Sequence, residues 1–500
     1  MQFDSFDFFV FFPIVLAIYF VVPKKVRTYW LLAASYFFYI CWNPAFSILL
    51  LASTVTTFLC GFFIDVIRNK ATNNSNKYIK LIIIACLIIN LGILAFFKYT
   101  NFVLASINSV LVHMNISIAI KQLDILLPVG ISFYTFRALS YIIDVYRKDV
   151  DVEKNFFRYA LFVSFFPQIL AGPIDKSKNF LPQLNNIENI KLWNAKRIAS
   201  GAILMVWGYF LKMVISDRIS IIVDNVFSNY HMYGSVELFL AAIGFTIQIY
   251  TDFSSYSMLA IGAGKIMGFD VMENFNTPYF ATNVRDFWSR WHISLSTWFR
   301  DYLYIPLGGN RKGKFRKELN IFIVFLVSGL WHGANWTFLI WGGIHGLFQI
   351  IGDISSPFKK KLVSLFKIKT DTFSYRLLQT IITFLLVTFA WIFFKADSIS
   401  QAGGYIGRMF TRHTPWVLFN GGLYELGLDR VEMNILLVGL VILILVSIVR
   451  YKKNQTLDAF LMSQNIWFEW VVIIGLILMI FVFGEYGAAF DAQQFIYFNF

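Results

Sequence analysis

The sequence predicts an all-α polytopic membrane protein, and three observations carry that prediction. Of 500 residues, 58% are hydrophobic and only 14% charged, a balance foreign to soluble globular domains. Apolar runs recur from end to end, many near the ~20 residues that a helix needs to cross a bilayer. The basic residues gather in the short segments between those runs. The chain has room for roughly ten to thirteen membrane helices. No stretch reads as a separate soluble domain, so residues 1–500 are read as one integral-membrane domain.

The formal charge of +14 would suggest nucleic acid in a soluble protein. Here the cations cluster at helix ends: Lys24-Lys25-Val-Arg27, Arg68-Asn-Lys70 with Lys77 and Lys80, Arg311 to Lys317, and Arg450-Tyr-Lys452-Lys453. The positive-inside rule accounts for them and makes those loops cytoplasmic. The implied partner is therefore the lipid bilayer, with no nucleic acid. Cys41, Cys60 and Cys86 lie in apolar runs without C-x-x-C spacing, which argues against a disulfide framework or a thiolate metal site.

Taken in order, residues 6–22 form a first helix. The run lacks a small-residue cleavage site and ends in Pro23-Lys24-Lys25, so it reads as retained. Asp4 and Asp7 before it, with the basic cluster after it, predict an extracytoplasmic N-terminus. Residues 29–67 break at Trp42-Asn43-Pro44 into two helices. A polar, low-complexity loop at 71–76 follows, then a span at 81–97 and a weaker one at 102–120. Residues 127–136 contain Pro128 and Gly130, and residues 165–174 contain Pro167, Gly172 and Pro173. Interrupted helices are tolerated at membrane depth only where they are buried in protein or line a cavity, so the pair suggests an internal vestibule. Residues 198–215 span, with Lys212 expected to snorkel to an interface. Residues 236–267 span with Asp252 as a polar packing residue. Residues 358–369 read as an amphipathic interfacial segment. Spans at 377–394, 434–449 and 467–483 close the series. No internal repeat at a fixed period is visible, which weakens a transporter built from inverted repeats.

The chemistry concentrates between Arg285 and Gly346, which holds three of the six histidines. Taken as one helix, residues 285–304 place Arg285, Ser289, His292 and Ser296 on one face at ~100° per residue. Phe287, Trp291, Leu295, Trp298 and Tyr302 cover much of the other. The same stripe also fits a helix lying in the bilayer surface. Residues 321–351 make one span with a break, or two elements. They carry Trp331, His332 and, three residues on, Asn335, expected on the same side. His345 falls about 220° round from His332 on an ideal helix and reads as packing.

A titratable group at membrane depth is a functional candidate by default. Histidine suits general-base work near neutral pH, since its ordinary pKa is about 6.5. It can take the proton of a hydroxyl that attacks a thioester, typically contributing ~10²–10⁴-fold. An amide such as Asn335, or a backbone N–H, would stabilise the oxyanion. The histidines lack ligand spacing and partner carboxylates, so no metal is expected. No P-loop, G-x-S-x-G, H-E-x-x-H or dinucleotide fingerprint is present. The aromatic end Phe495-Ile-Tyr497-Phe-Asn-Phe500 fits an interface anchor. It also fits a tail that enters a tunnel and presents the Tyr497 hydroxyl to the base.

At these residues the chain resembles the membrane-bound O-acyltransferases, in the bacterial branch that O-acetylates alginate and peptidoglycan. The resemblance covers nearly the whole chain. It is carried by Leu127-Pro-Val-Gly-Ile-Ser-Phe-Tyr-Thr-Phe136, Phe166-Pro-Gln-Ile-Leu-Ala-Gly-Pro173 and Glu273-Asn-Phe-Asn-Thr-Pro-Tyr279. Two further motifs are Trp291-His-Ile-Ser-Leu-Ser-Thr-Trp-Phe-Arg-Asp-Tyr-Leu-Tyr-Ile-Pro-Leu-Gly-Gly-Asn-Arg311 and Gly329-Leu-Trp-His-Gly-Ala-Asn-Trp336. The resemblance implies about eleven to thirteen membrane helices, plus short re-entrant or interfacial helices, in a ring around a central funnel or tunnel. It implies a catalytic core at about residues 127–351, with His332 as the catalytic histidine and His292 as the second. It also implies that Tyr497, in the aromatic tail 495–500, carries the acyl group across. Two positions depart from the family pattern: Asn499 stands where glutamine is common, and Met258 where aspartate is common after a serine.

The resemblance implies acetyl-CoA, or another acyl-CoA, as donor substrate, with no bound cofactor. It implies an extracytoplasmic polysaccharide as acceptor, an SGNH-type esterase-like partner, and the bacterial inner membrane as location. The sister branch, which transfers D-alanine to teichoic acids, shares both histidines; it generally lacks the Ile305-Pro-Leu-Gly-Gly-Asn-Arg311 ending. From other classes stand a transporter or export channel lined by the histidines, and a structural scaffold for a polysaccharide synthase.

Overall fold

A computed structural model describes residues 1–70, 74–486 and 495–496. Part of the polar loop (71–73), Tyr497 and Asn499 lie outside the described residues. Among the described residues the chain is helical, with no strand. Eight of its helical segments are long and apolar enough to cross a membrane, and Phe6–Val21 is a shorter apolar helix of 16 residues. This is a multi-pass membrane protein. The helices group into two compact units: residues 1–201 with 260–272, and residues 202–259 with 273–500.

The first unit contains α1 (Phe6–Val21), α2 (Arg27–Ile40), α3 (Pro44–Lys70), α4 (Ser75–His113), α5 (Ile131–Arg147), α6 (Phe156–Ser164), α7 (Phe166–Ile169) and α8 (Ser177–Asn185). The break at Trp42-Asn43-Pro44 falls where the proline predicts it, because proline lacks the N–H that would continue α2. The two spans expected at 81–97 and 102–120 are instead the single 39-residue α4. Its polar middle stays helical with polar side chains bonded within the helix and to the segment that follows it. The Thr100 hydroxyl donates to the Phe96 carbonyl at 2.7 Å, and the Asn101 amide donates to the Leu123 carbonyl at 2.8 Å.

The two interrupted segments of this unit meet. Gly130 precedes α5 in the left-handed region (φ 76°). A Cβ there would stand 2.4 Å from the Ile169 carbonyl oxygen in α7, so glycine meets both the backbone and the steric demand.

The second unit is built from α10 (Asp217–Ser228), α12 (Val284–Arg290), α13 (Ile293–Phe299), α14 (Lys314–His332), α15 (Trp336–Leu365), α16 (Phe373–Lys395), α17 (Ile399–Thr411), α18 (Arg430–Lys453), α19 (Leu457–Met462) and α20 (Ile466–Phe483). Two helices supply residues to both units: α9 (Ala195–Tyr209) divides after Gly201 and α11 (Ser235–Met267) after Leu259. Between α9 and α10 the helix widens into a π-helical turn, Phe210–Ser216. Lys212 sits in this turn and does not snorkel. It is 1% exposed, with Nζ 2.8 Å from Asp217 and 2.9 Å from Asp252. Two facing carboxylates hold the ammonium inside where an unpaired one would seek water.

Helices α14 and α15 cross at backbone contact. A Cβ on Gly329 would lie 2.3 Å from the Phe338 carbonyl oxygen, and one on Gly342 would lie 2.3 Å from that of Phe325. Rising numbers on one helix meet falling numbers on the other, so the pair is antiparallel. Glycine is what allows the close approach. The amphipathic segment expected at 358–369 continues α15 through Pro357 to Leu365.

Candidate functional site

The expected single helix over 285–304 is three pieces: α12, α13 and a π-helical turn at Arg300–Tyr304. It breaks at His292, whose backbone is left-handed (φ 43°, ψ 54°). The cause is a neighbouring loop of the same unit. Asn276 donates its backbone N–H to the Arg290 carbonyl, and the Asn274 carbonyl accepts from Ile293 N–H, both at 2.9 Å. Those bonds take groups that a continuous helix would use itself. Arg285, Ser289, His292 and Ser296 therefore do not form one stripe. Ser289 is exposed and its hydroxyl donates to the Asp286 carbonyl at 2.7 Å, so it lies outside the site.

The break turns His292 inward. It is 0% exposed, and His332, the last residue of α14, is 2% exposed. Their ring centres are 6.3 Å apart, although forty positions separate them in the chain. Trp331 borders both imidazoles, at 5.8 Å from His292 and 5.0 Å from His332. Trp341 and Phe394 complete the wall around His332 at 5.0 Å and 5.5 Å. Phe253 of α11 meets His292 edge-on at 4.6 Å and 89°.

Asn335, expected on the same side as His332, belongs to a different helix from it. Helix α14 stops at His332, Gly333 is extended, and Asn335 becomes the N-cap of α15. Its side-chain oxygen accepts from Thr337 N–H at 3.1 Å, and its amide donates to the Asp397 carbonyl at 3.0 Å. One end of the side chain caps α15, and the other ties it to the backbone between α16 and α17. The amide at the site is Asn274, which the sequence reading quoted inside a motif without assigning it a role. Its oxygen accepts from the Ser294 hydroxyl at 2.6 Å and lies 3.2 Å from His292 Nδ1, while its nitrogen donates to the Ser257 hydroxyl at 3.0 Å.

His345 packs, as its angular position suggested. It is fully buried, with Trp341 at 5.1 Å, and Trp288 donates its indole N–H to His345 Nδ1 at 3.2 Å.

A cavity of about 390 Å³ lies between α12, α13, the Arg300–Tyr304 turn and α14, and neither His292 nor His332 is on its wall among the described residues. Its lining includes Leu295 and Ser296, one helical turn after His292 in sequence, and Ser328, one turn before His332. Trp288, Phe299, Tyr304, Ile321 and Phe325 add aromatic and apolar surface, and Arg285, Arg300 and Lys317 bring positive charge. Arg285 donates to both oxygens of Asp353 at 2.5 Å, and Lys317 pairs with the same carboxylate. That hydrogen bond holds the Lys317 ammonium above the usual lysine range. The arrangement suits a ligand with an anionic head and a long, largely apolar arm.

Comparison with known proteins adds the following. Residues 150–396 match the model of MBOAT, the membrane-bound O-acyltransferase family. A protein of Pseudomonas syringae pv. tomato named "Probable alginate O-acetylase AlgI" is 39% identical over 403 residues, covering 81% of this chain and 74% of the relative. A "Peptidoglycan O-acetyltransferase" of Helicobacter pylori is 33% identical over 423 residues, covering 79% and 76%. A "Teichoic acid D-alanyltransferase" of Bacillus subtilis is 29% identical over 280 residues, covering 53% and 68%.

Proposed function

The chain belongs to the membrane-bound O-acyltransferase family and is an acyltransferase, and from that premise we propose that it moves acetyl from a cytoplasmic acyl-CoA donor toward an extracytoplasmic polysaccharide. The observation that carries the proposal is the meeting of His292 and His332, two buried imidazoles 6.3 Å apart, one helical turn in sequence from residues that line a cavity with three basic side chains. Longer coverage and higher identity to relatives named for O-acetylation than to the D-alanyltransferase favour acetyl over D-alanyl.

The donor's phosphates sit among Arg285, Arg300 and Lys317, and its thioester arm runs along the aromatic wall toward Ser296 and Ser328. His332 takes the proton of the attacking hydroxyl as its oxygen bonds to the thioester carbon. The C–S bond breaks, and the departing sulfur takes the proton back from the imidazolium. His292 accepts a hydrogen bond at Nε2 and positions the donor arm, with Trp331 closing the space between the rings.

The attacking hydroxyl is that of Tyr497. Supporting this, Phe495, two residues earlier, lies 5.9 Å from Phe253, whose ring meets His292. An SGNH-type partner outside the membrane then takes the acyl group from the tyrosine ester to the sugar. The enzyme resides in the inner membrane with its N-terminus outside the cytoplasm.

The test is O-acetyl content of the cell's polysaccharide in His332→Ala against wild type at equal protein level. Acetylation should fall by at least ~10²-fold, and undiminished acetylation sinks the base role. Tyr497→Phe removes one oxygen and should abolish transfer, whereas normal transfer excludes the relay.

A further inference from the structure

Among its described residues, the segment that follows α20 is held at two points, and both lie on or beside the π-helical turn. In a regular helix the Met213 carbonyl would accept from Asp217 N–H. In the wider turn, Asp217 N–H bonds to the Lys212 carbonyl instead. The Met213 carbonyl accepts from Glu485 N–H at 2.9 Å, two residues past the end of α20. The Glu485 carboxylate also takes the Arg218 guanidinium at 2.7 Å. That is the first fixed point.

The second is Asp252. One of its oxygens faces Lys212 at 2.9 Å, and the other accepts the backbone N–H of Ile496 at 2.8 Å. One ammonium faces two carboxylates here, Asp217 and Asp252, so acceptor capacity exceeds what the lysine supplies. A main-chain N–H is the small, uncharged donor that fits such an excess. Next to it, Phe495 stacks on Tyr256 at 4.1 Å and 29°, and its ring centre lies 5.9 Å from that of Phe253. A buried carboxylate thus reads a backbone position while an aromatic slot reads the preceding side chain. π-turns of this kind concentrate at functional sites.

We infer that Asp252, Lys212 and the Phe210–Ser216 turn form a built-in dock for Phe495 and Ile496, and that acyl transfer depends on this dock. Asp252 is then a positioning residue, acting through the tail. The purpose of the dock rests on the Tyr497 relay, but its existence does not, and the two are separable by experiment.

Hydrogen–deuterium exchange of the C-terminal peptide is followed in the purified full chain, alongside polysaccharide acetylation in cells. Asp252→Ala leaves Lys212 its Asp217 partner, and Ile496→Pro removes the backbone donor while leaving Asp252, Lys212 and Asp217 in place. Both should speed exchange of the tail by at least about tenfold and cut acetylation in parallel. Asp252→Asn keeps an acceptor oxygen and should recover part of both. His332→Ala should lose acetylation with the tail still protected. Wild-type protection in both Asp252→Ala and Ile496→Pro overturns the dock, and faster exchange with full acetylation overturns its positioning role. Full transfer by Tyr497→Phe together with losses in the dock variants leaves the dock standing and removes only the relay.

Discussion

The side-chain oxygen of Asn274 lies 3.2 Å from Nδ1 of His292, and this contact fixes the tautomer of the histidine. Because the Asn274 nitrogen is spent on Ser257, the oxygen faces the ring, so Nδ1 carries the proton and Nε2 offers a lone pair. His345 is set the opposite way, with Nδ1 accepting from Trp288 and the proton on Nε2. Two buried histidines in one unit are thus poised differently by the groups at Nδ1, an amide oxygen at His292 and an indole N–H at His345.

Asn274→Ala should lower the transfer rate by about 10²-fold through misplacement of the ring, with protein level unchanged. Rates measured on purified protein decide it, and wild-type turnover would mean that the tautomer does not matter.

Asn335→Ala should act on folding alone. Loss of the N-cap costs about 0.5–2 kcal/mol, visible as a lower unfolding midpoint, with transfer per folded molecule within about threefold of wild type. An oxyanion role would show itself as a loss of ~10²–10³-fold.

His345→Ala orphans the buried indole N–H of Trp288, at a cost of roughly 1–3 kcal/mol. His345→Asn offers a new acceptor to the same N–H and should recover part of that stability. In both, thermal unfolding should move more than transfer per folded molecule.

Lys317→Met should raise the donor KM roughly fivefold, the equivalent of about 1 kcal/mol, with kcat retained. The gap should narrow with added salt. Its pH dependence follows from the sign of the shift. Asp353 raises the folded-state pKa of Lys317, so the contribution is complete below the ordinary lysine value and is lost only as pH rises through the higher one. The donor KM should therefore show no Lys317 titration between about pH 6 and 9. A KM that climbs across that range would remove the lysine from the donor site.

Most of the helices were legible in the sequence because run length and proline position dictate them, as at Pro44. The motif Gly329-Leu-Trp-His-Gly-Ala-Asn-Trp336 drew attention to His332, which the structure places at the end of α14 with its ring 6.3 Å from that of His292. What stayed hidden depends on contacts distant in sequence. The break at His292 is imposed by the backbone of Asn274 and Asn276, and periodicity within 285–304 carries no trace of it. Asn335 looked free to serve the site because spacing says nothing about where a helix stops. Lys212 looked like a snorkelling residue because its two carboxylates lie five and forty positions away. Asn274 had one visible signal, its place in Glu273-Asn-Phe-Asn-Thr-Pro-Tyr279, but no local feature tied it to a histidine.

The left-handed backbone at position 292 has a practical consequence. Glycine adopts that conformation freely, whereas a histidine there carries a conformational penalty of order 1 kcal/mol or more. The penalty is met by the ring itself, which is fully buried against Phe253 and Trp331. Glycine at 292 would relax the backbone and leave a void in the same stroke, so the strain and the packing that sustains it stand or fall together.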